Sequence, residues 1–191
     1  NAVPLQLPIG SEDKFKGVVD LINFRGMVWN ESDHGMTYEV VDIPADMVEE
    51  AKEWREKLLE AVSEYDDSIM EKFFEDPESI TEREILDALR AATIDLSIVP
   101  MMCGTAFKNK GVQTMLDMVM ELMPSPLDVG AVNGTDPDTE APITREPSYD
   151  APFSALAFKI ATDPYVGRLC FIRAYSGKLD SGSYVLNMRT G

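Results

Sequence analysis

Leu96-Ser97-Ile98-Val99-Pro100-Met101-Met102-Cys103 is an almost unbroken apolar run. It is followed by the polar stretch Gly104-Thr105-Ala106-Phe107-Lys108-Asn109-Lys110-Gly111 and then by Val112 to Met123, apolar on one helical face. A run of that length and composition predicts a strand buried on both faces of a parallel sheet. Strand, short loop and helix make an α/β unit, and ligands in such sheets sit beyond the C-terminal end of the strand. The loop from Gly104 to Gly111 lies at that end. Six methionines fall between Met101 and Met123. They read as adaptable core filler.

Upstream, Val3 to Ile9 is a short apolar run punctuated by Pro4 and Pro8. Lys14 to Trp29 and Met36 to Val41 alternate β-favouring residues around turn clusters, which predicts a small antiparallel sheet. After Ile43-Pro44, apolar residues recur at Met47, Ala51, Trp54, Leu58, Val62, Tyr65, Ile69 and Phe73. Steps of three and four place them on one stripe of a long helix that ends at Asp76-Pro77. Thr81 and Glu84 have the spacing of a capping box and open a second helix through Ile85, Leu86, Leu89 and Ala92. Downstream, Leu127 to Asp150 is rich in proline and glycine and reads as a linker or long surface loop. From Phe153 the pattern is all-β: Ser154 to Ala161, Arg168 to Tyr175 and a strand around Tyr184 to Asn187, the opening of an antiparallel barrel or sandwich.

The chain has 191 residues, 45% hydrophobic and 27% charged, with a net charge of -17. That charge argues against gripping a phosphate backbone, which takes clustered Lys and Arg. Between Asp42 and Glu78 stand 14 acidic residues against 4 basic ones. Such a face is a negative field suited to a basic protein partner, or a solvated helix surface. No apolar run reaches the ~18–20 residues of a membrane helix. Asn1 to Leu7 lacks the pattern of a signal or transit peptide. The chain starts without Met and stops just after a strand-like run, so both ends read as cut. Cys103 and Cys170 lie in apolar runs and are expected to be buried reduced thiols. His34 is the only histidine, in a turn, and no Cys-x-x-Cys pair exists, so no metal site is expected.

Catalytic constellations are missing from these residues. There is no Gly-x-x-x-x-Gly-Lys-Ser/Thr, no Gly-x-Gly-x-x-Gly and no Asp-x-x-Gly. Asn109-Lys110 is followed by Gly111 and not by the x-Asp that would read a guanine edge. No Gly-x-Ser-x-Gly elbow occurs. The carboxylates of the acidic helix are solvated, and such groups keep ordinary pKa values. No catalytic residue is assigned.

Two stretches carry a resemblance. Cys103 to Gln113 closely resembles the fifth guanine-nucleotide motif of the elongation factor G family, and Phe153 to Gly167 resembles the entry into that family's second domain. Gly17-Val18-Val19-Asp20-Leu21 and Ile43-Pro44-Ala45-Asp46-Met47 are similar to the subdomain inserted into its GTPase domain. The resemblance spans essentially the whole chain in family order.

It implies an α/β fold, part of a P-loop GTPase domain with an α+β insert, followed by the first strands of an antiparallel β-barrel. Residues 1–10 and 97–124 would be the C-terminal part of the GTPase domain and 11–96 the insert. Residues 125–151 would be a linker and 152–191 the incomplete barrel. The resemblance further implies that Gly104, Thr105, Ala106 and Phe107 support a guanine base, with backbone amides of the last three as donors. The family usually has serine where Thr105 stands, so the backbone role carries more weight than the hydroxyl. The acidic face, with Glu49, Glu50, Glu53, Glu56 and Glu60, would meet the ribosomal stalk protein.

The complete parent would bind GTP or GDP with magnesium. It would act on the cytoplasmic ribosome, coupling hydrolysis to movement of tRNA and mRNA. This piece is expected to be inactive, to bind no nucleotide and no membrane, and to make no direct contact with nucleic acid. The alternatives are a free-standing acidic protein-binding module and a related ribosomal protection or release GTPase. Unpaired edges of the barrel strands are expected to pair with a neighbouring chain.

Overall fold

Ala2–Pro4 forms β1 and, after Leu5 alone, Gln6–Ile9 forms β2. Gly17–Asp20 (β3), Arg25–Trp29 (β4) and Tyr38–Val41 (β5) follow, and the order β2-β3-β4-β5 is an antiparallel sheet. The computed structural model describes residues 1–136 and 139–191, so Pro137, within the expected linker, lies outside the described residues. The described residues fall into two units, Asn1–Met123 and Pro124–Gly191.

Val18 and Val19 of β3 are both fully shut from solvent. Successive residues of a strand face opposite sides, so this sheet is covered twice. Val19, with Leu7 opposite it on β2, belongs to the main core. Val18 pairs with Met27 on β4 and forms a second cluster with Phe15 and Trp29, against which Cys103 packs. The β3–β4 turn is set by Asp20, whose Oδ1 accepts from the amides of Ile22 (3.0 Å) and Asn23 (3.3 Å).

The main core fills when helices close over the Val19 face. The predicted single helix is two: Val48–Ser63 (α1) and Asp67–Glu75 (α2). The break is chemical. Asp66 adopts an extended conformation and its side chain accepts from the amides of Ser68 (2.8 Å) and Ile69 (3.2 Å), starting a new helix. All eight residues of the predicted apolar stripe still face the core, Ala51, Leu58, Val62 and Ile69 buried within it and Met47, Trp54, Tyr65 and Phe73 half-buried against it, because the stripe continues across the break. From α1, Arg55 donates to the carbonyls of Leu21 and Ile22 and lies over the Phe24 ring, tying the helix to the β3–β4 turn.

Glu82–Ile94 forms α3, which opens on the predicted capping box: the Thr81 amide donates to Glu84 Oε2 (2.9 Å) and the Glu84 amide to Thr81 Oγ1 (3.4 Å). Its other end departs from expectation. Leu96 is not in a strand; it sits in the left-handed region (φ 63°) and closes α3 while 86% exposed. The strand itself is only Val99–Met101 (β6), paired in parallel with β1. It is not buried on both faces: Val99 and Met101 are exposed, whereas Ile98 enters the core. Val112–Leu122 forms α4.

The second unit begins with a four-residue helix, Pro126–Val129 (α5), capped reciprocally by Ser125 and Asp128. Val132–Thr135 (β7) and Pro142–Arg145 (β8) form an antiparallel pair, so regular structure occupies part of the stretch 125–151. Ser154–Asp163 (β9) and Gly167–Ser176 (β10) form a long antiparallel hairpin with irregularities at Phe171/Ile172 and Ala174/Ser176. The expected strand at Tyr184 to Asn187 is absent, and those residues are irregular and exposed. Cys170 is exposed rather than buried, because no layer covers its apolar neighbours Leu169, Phe171 and Ile172 among the described residues. The whole is a mixed α/β chain with several antiparallel sheets.

The packing makes two features testable. Glu84 is held down to about 2, first by its hydrogen bond from Lys72 and then by those from Thr81. A carboxylate depressed in the folded state adds stability above its ordinary pKa and loses it as pH falls toward the depressed value. The stability gap between the native chain and Glu84→Gln, measured by urea denaturation, is expected to be constant above about pH 5 and to close toward pH 2. A gap that widened on acidification would refute it. The hairpin, whose two strands pair only with each other among the described residues, exposes Leu156, Phe158, Ile160 and Phe171. Light scattering is expected to show concentration-dependent self-association of the chain, and a strict monomer across the micromolar range would contradict this.

Candidate functional site

The loop after β6 is closed by its own backbone. The Thr105 amide donates to the Lys110 carbonyl (2.9 Å) and the Lys110 amide to the Thr105 carbonyl (3.1 Å). Within that ring Ala106–Lys108 make one 3-10 turn, and Asn109 takes the left-handed conformation (φ 53°). Gly111 follows at φ 85°, where a Cβ would stand 2.7 Å from the Cys103 carbonyl oxygen. Glycine alone fits that approach.

This ring sorts the four predicted base-site residues. The Thr105 amide is committed to Lys110. Ala106 and Phe107 open the 3-10 turn, where a helical start leaves amides without a carbonyl one turn back. Both are exposed, and Phe107 fully so. Gly104 is exposed too, and a Cβ there would stand 2.9 Å from the Lys110 carbonyl oxygen. The structure therefore brings the four together and leaves two donors at the tip.

What sequence reasoning missed is the underside. Lys110 is 2% exposed, in a loop whose composition reads as solvated. Its Nζ donates to the Phe15 carbonyl (3.1 Å) and to Glu31 Oε1 (2.8 Å), a residue 79 positions away. The ammonium, by hydrogen bond and then by charge, lowers the pKa of Glu31 below the usual carboxylate range. Gln113 at the start of α4 accepts from Trp29 Nε1 (3.1 Å) and donates to the Gly35 carbonyl (2.8 Å). Asn109 Nδ2 donates to the same carbonyl (3.3 Å), and Lys108 Nζ donates to the Asp13 carbonyl (3.3 Å). The β4–β5 turn is thus seated on the loop backbone. A cleft of about 250 Å³ opens along this seam, lined by Glu31, His34, Gly35, Phe107, Lys108 and Lys110. Nothing in the spacing of these residues marks them as partners.

The acidic candidates lie on α1, and all five are exposed. Glu49, Glu53, Glu56 and Glu60 follow steps of four, three and four and share one stripe, with Glu50 about 100° to the side. Glu49 pairs with Lys52 (2.8 Å) and Glu53 with Lys57 (2.6 Å). Exposed pairs of this kind contribute roughly 0–1 kcal/mol, so they temper the local field more than they stabilise the helix. Among the described residues no group of three or more His, Cys, Asp or Glu side chains could hold a metal ion, and no helix is long and apolar enough to cross a membrane.

No protein-family model matches the chain. Across all 191 residues it is 68% identical to the elongation factor G of Cytophaga hutchinsonii and 60% identical to that of Amoebophilus asiaticus. The chain belongs to the elongation factor G family. It spans 27% of the length of each of those relatives. A crystal structure of a Thermus thermophilus protein matches with a TM-score of 0.69 over 95% of this chain and 24% of that one. At 22% identity that likeness speaks for the fold alone. In this chain the loop and the β4–β5 turn form one seam, and the acidic stripe of α1 is a separate surface.

Gly35 is the tightest point of the seam: at φ 73°, a Cβ there would lie 2.6 Å from the Lys108 carbonyl oxygen and 2.7 Å from that of Asn109. Gly35→Ala is expected to destabilise the first unit by about 1–3 kcal/mol. Urea denaturation measures this, and an unchanged midpoint would show that the seam yields freely.

Proposed function

We propose that this chain is the part of a ribosomal translocation GTPase that supplies one rim of the guanine pocket and one protein-docking face. The observation that carries the reading is the closed loop at 104–111, whose exposed tip places Ala106 and Phe107 at the start of a 3-10 turn, in a chain matched along its whole length by elongation factor G relatives. Guanine presents O6 and N7 as acceptors, which amides at the start of such a turn can meet. Residues 1–10 and 97–124 would belong to the GTPase domain, 11–96 to its insert, 125–151 to a linker and 152–191 to the first strands of a barrel.

In the complete protein, the segments that hold phosphate and magnesium lie outside this chain. GTP hydrolysis there is coupled to movement of tRNA and mRNA on the cytoplasmic ribosome. The acidic stripe of Glu49, Glu53, Glu56 and Glu60, flanked by Glu50, faces the basic surface of the ribosomal stalk protein. A free-standing acidic module and a ribosomal protection or release GTPase are less well supported, since the relatives from Cytophaga hutchinsonii and Amoebophilus asiaticus, matched over the whole chain, are elongation factors G.

The chain alone neither binds nor hydrolyses GTP in this reading. One or two amide hydrogen bonds contribute roughly 1–3 kcal/mol, whereas even a millimolar complex requires about 4 kcal/mol. Titration with a fluorescent guanine nucleotide is expected to show no saturable binding to the 191-residue chain and clear binding to the full-length factor. Micromolar affinity of the chain alone would refute the first half. A full-length factor blind to the nucleotide would refute the second.

A further inference from the structure

The loop proposed to face the guanine base has few ways to hold its own shape. It is short, its tip is exposed, and its ring is closed by only two backbone hydrogen bonds between Thr105 and Lys110. Its 3-10 turn adds the Lys108 amide to the Thr105 carbonyl (3.3 Å) and the Asn109 amide to the Ala106 carbonyl (3.1 Å), and its side-chain ties all reach outside it. Lys110 sends an almost completely buried ammonium away from the tip, to the Phe15 carbonyl and to Glu31. Asn109 and Gln113 both hold the Gly35 carbonyl, and Gln113 is itself fixed by Trp29, which is 2% exposed. Every one of these partners belongs to the antiparallel sheet or its flanking turns. None lies on β1 or β6, the parallel pair from which the loop springs.

We infer that Lys110 is a positioning residue: through Glu31 and the Phe15 carbonyl it ties the base-facing loop to the β2–β5 sheet, so that the placement of that sheet sets the placement of the Ala106 and Phe107 amides. The inference rests on the guanine reading of the loop. The Lys110 side chain is 2% exposed, so its ammonium cannot drift from its acceptors without becoming a poorly solvated charge. It therefore fixes position more sharply than an exposed lysine would. Glu31 is 75% exposed on its outer side, so the tie can be loosened by substitution there without opening the core.

Binding to the full-length factor tests this with two probes: GDP, and the diphosphate of 2-aminopurine riboside, which lacks the 6-oxo acceptor. In the native protein, GDP is expected to bind more tightly, the difference reporting the contacts to O6 and to the N1–H that the analogue also lacks, of which only the O6 contact falls to this loop. Lys110→Met is expected to weaken GDP about three- to tenfold, the span of one typical hydrogen bond. The analogue should hardly be affected, so the ratio of the two affinities falls by the same factor. Glu31→Gln should act in the same direction with smaller size. A folded Lys110→Met protein with an unchanged ratio, whether both affinities stay or fall together, overturns the inference. If Lys110→Met does not fold, Glu31→Gln decides, and an unchanged ratio there overturns it. A native protein that binds GDP no better than the analogue sinks the guanine reading itself, which is a different failure.

Discussion

Val18 and Val19 are neighbours on one strand, point to opposite faces and are both fully enclosed. Burying an aliphatic side chain of this kind yields about 1.5–3 kcal/mol only if something covers it. The sheet must therefore carry two roofs. One is the helical layer of α1, α2 and α3, which meets Val19, Leu7 and Leu21. The other is thinner: the sheet's own Val18, Met27 and Trp29 are closed over by Phe15 and by Cys103 at the start of the 104–111 loop. The loop is thus the roof of a small hydrophobic patch before it is anything else. Its chemistry at the tip and its packing at the base are two ends of one short object.

Much of the architecture was legible because it obeys simple periods. The stripe from Met47 to Phe73 marked the helical face correctly, and the capping box at Thr81 and Glu84 formed as spelled. The break at Asp66 was not legible, since the stripe runs on across it and a single side-chain cap competes with helix continuation only in three dimensions. Leu96 misled in the opposite way: an apolar residue beside apolar neighbours looks like a strand, yet it adopts the left-handed turn that ends α3. Cys170 and Tyr184 to Asn187 looked buried or regular because their neighbours are apolar, and composition cannot say whether a second layer will be present to cover them.

The candidate base loop was visible as a motif, but its support was not. Lysine between asparagine and glycine carries every mark of solvent exposure, and only the folded chain brings Glu31 and the Phe15 carbonyl to it. Gly35 likewise reads as an ordinary turn residue. Its reason is the Lys108 carbonyl pressed against it. The acidic helix is the opposite case. Its charge pattern was plain from the residue order, and the fold adds the information that Lys52 and Lys57 answer two of the carboxylates on the same helix.

Leu5 has a further consequence. Its amide donates to the Met101 carbonyl of the parallel pair, and its own carbonyl accepts from the Leu21 amide at the end of β3. One residue thereby serves as a hinge pin shared by two sheets, and β2, which follows at once, lies hydrogen-bonded along β3. Residues 11–96 consequently do not form a detachable cassette: severed from Leu5 to Ile9, the sheet would lose an outer strand and present β3 as a raw edge. Any attempt to transplant this region into another protein would have to carry that N-terminal strip with it.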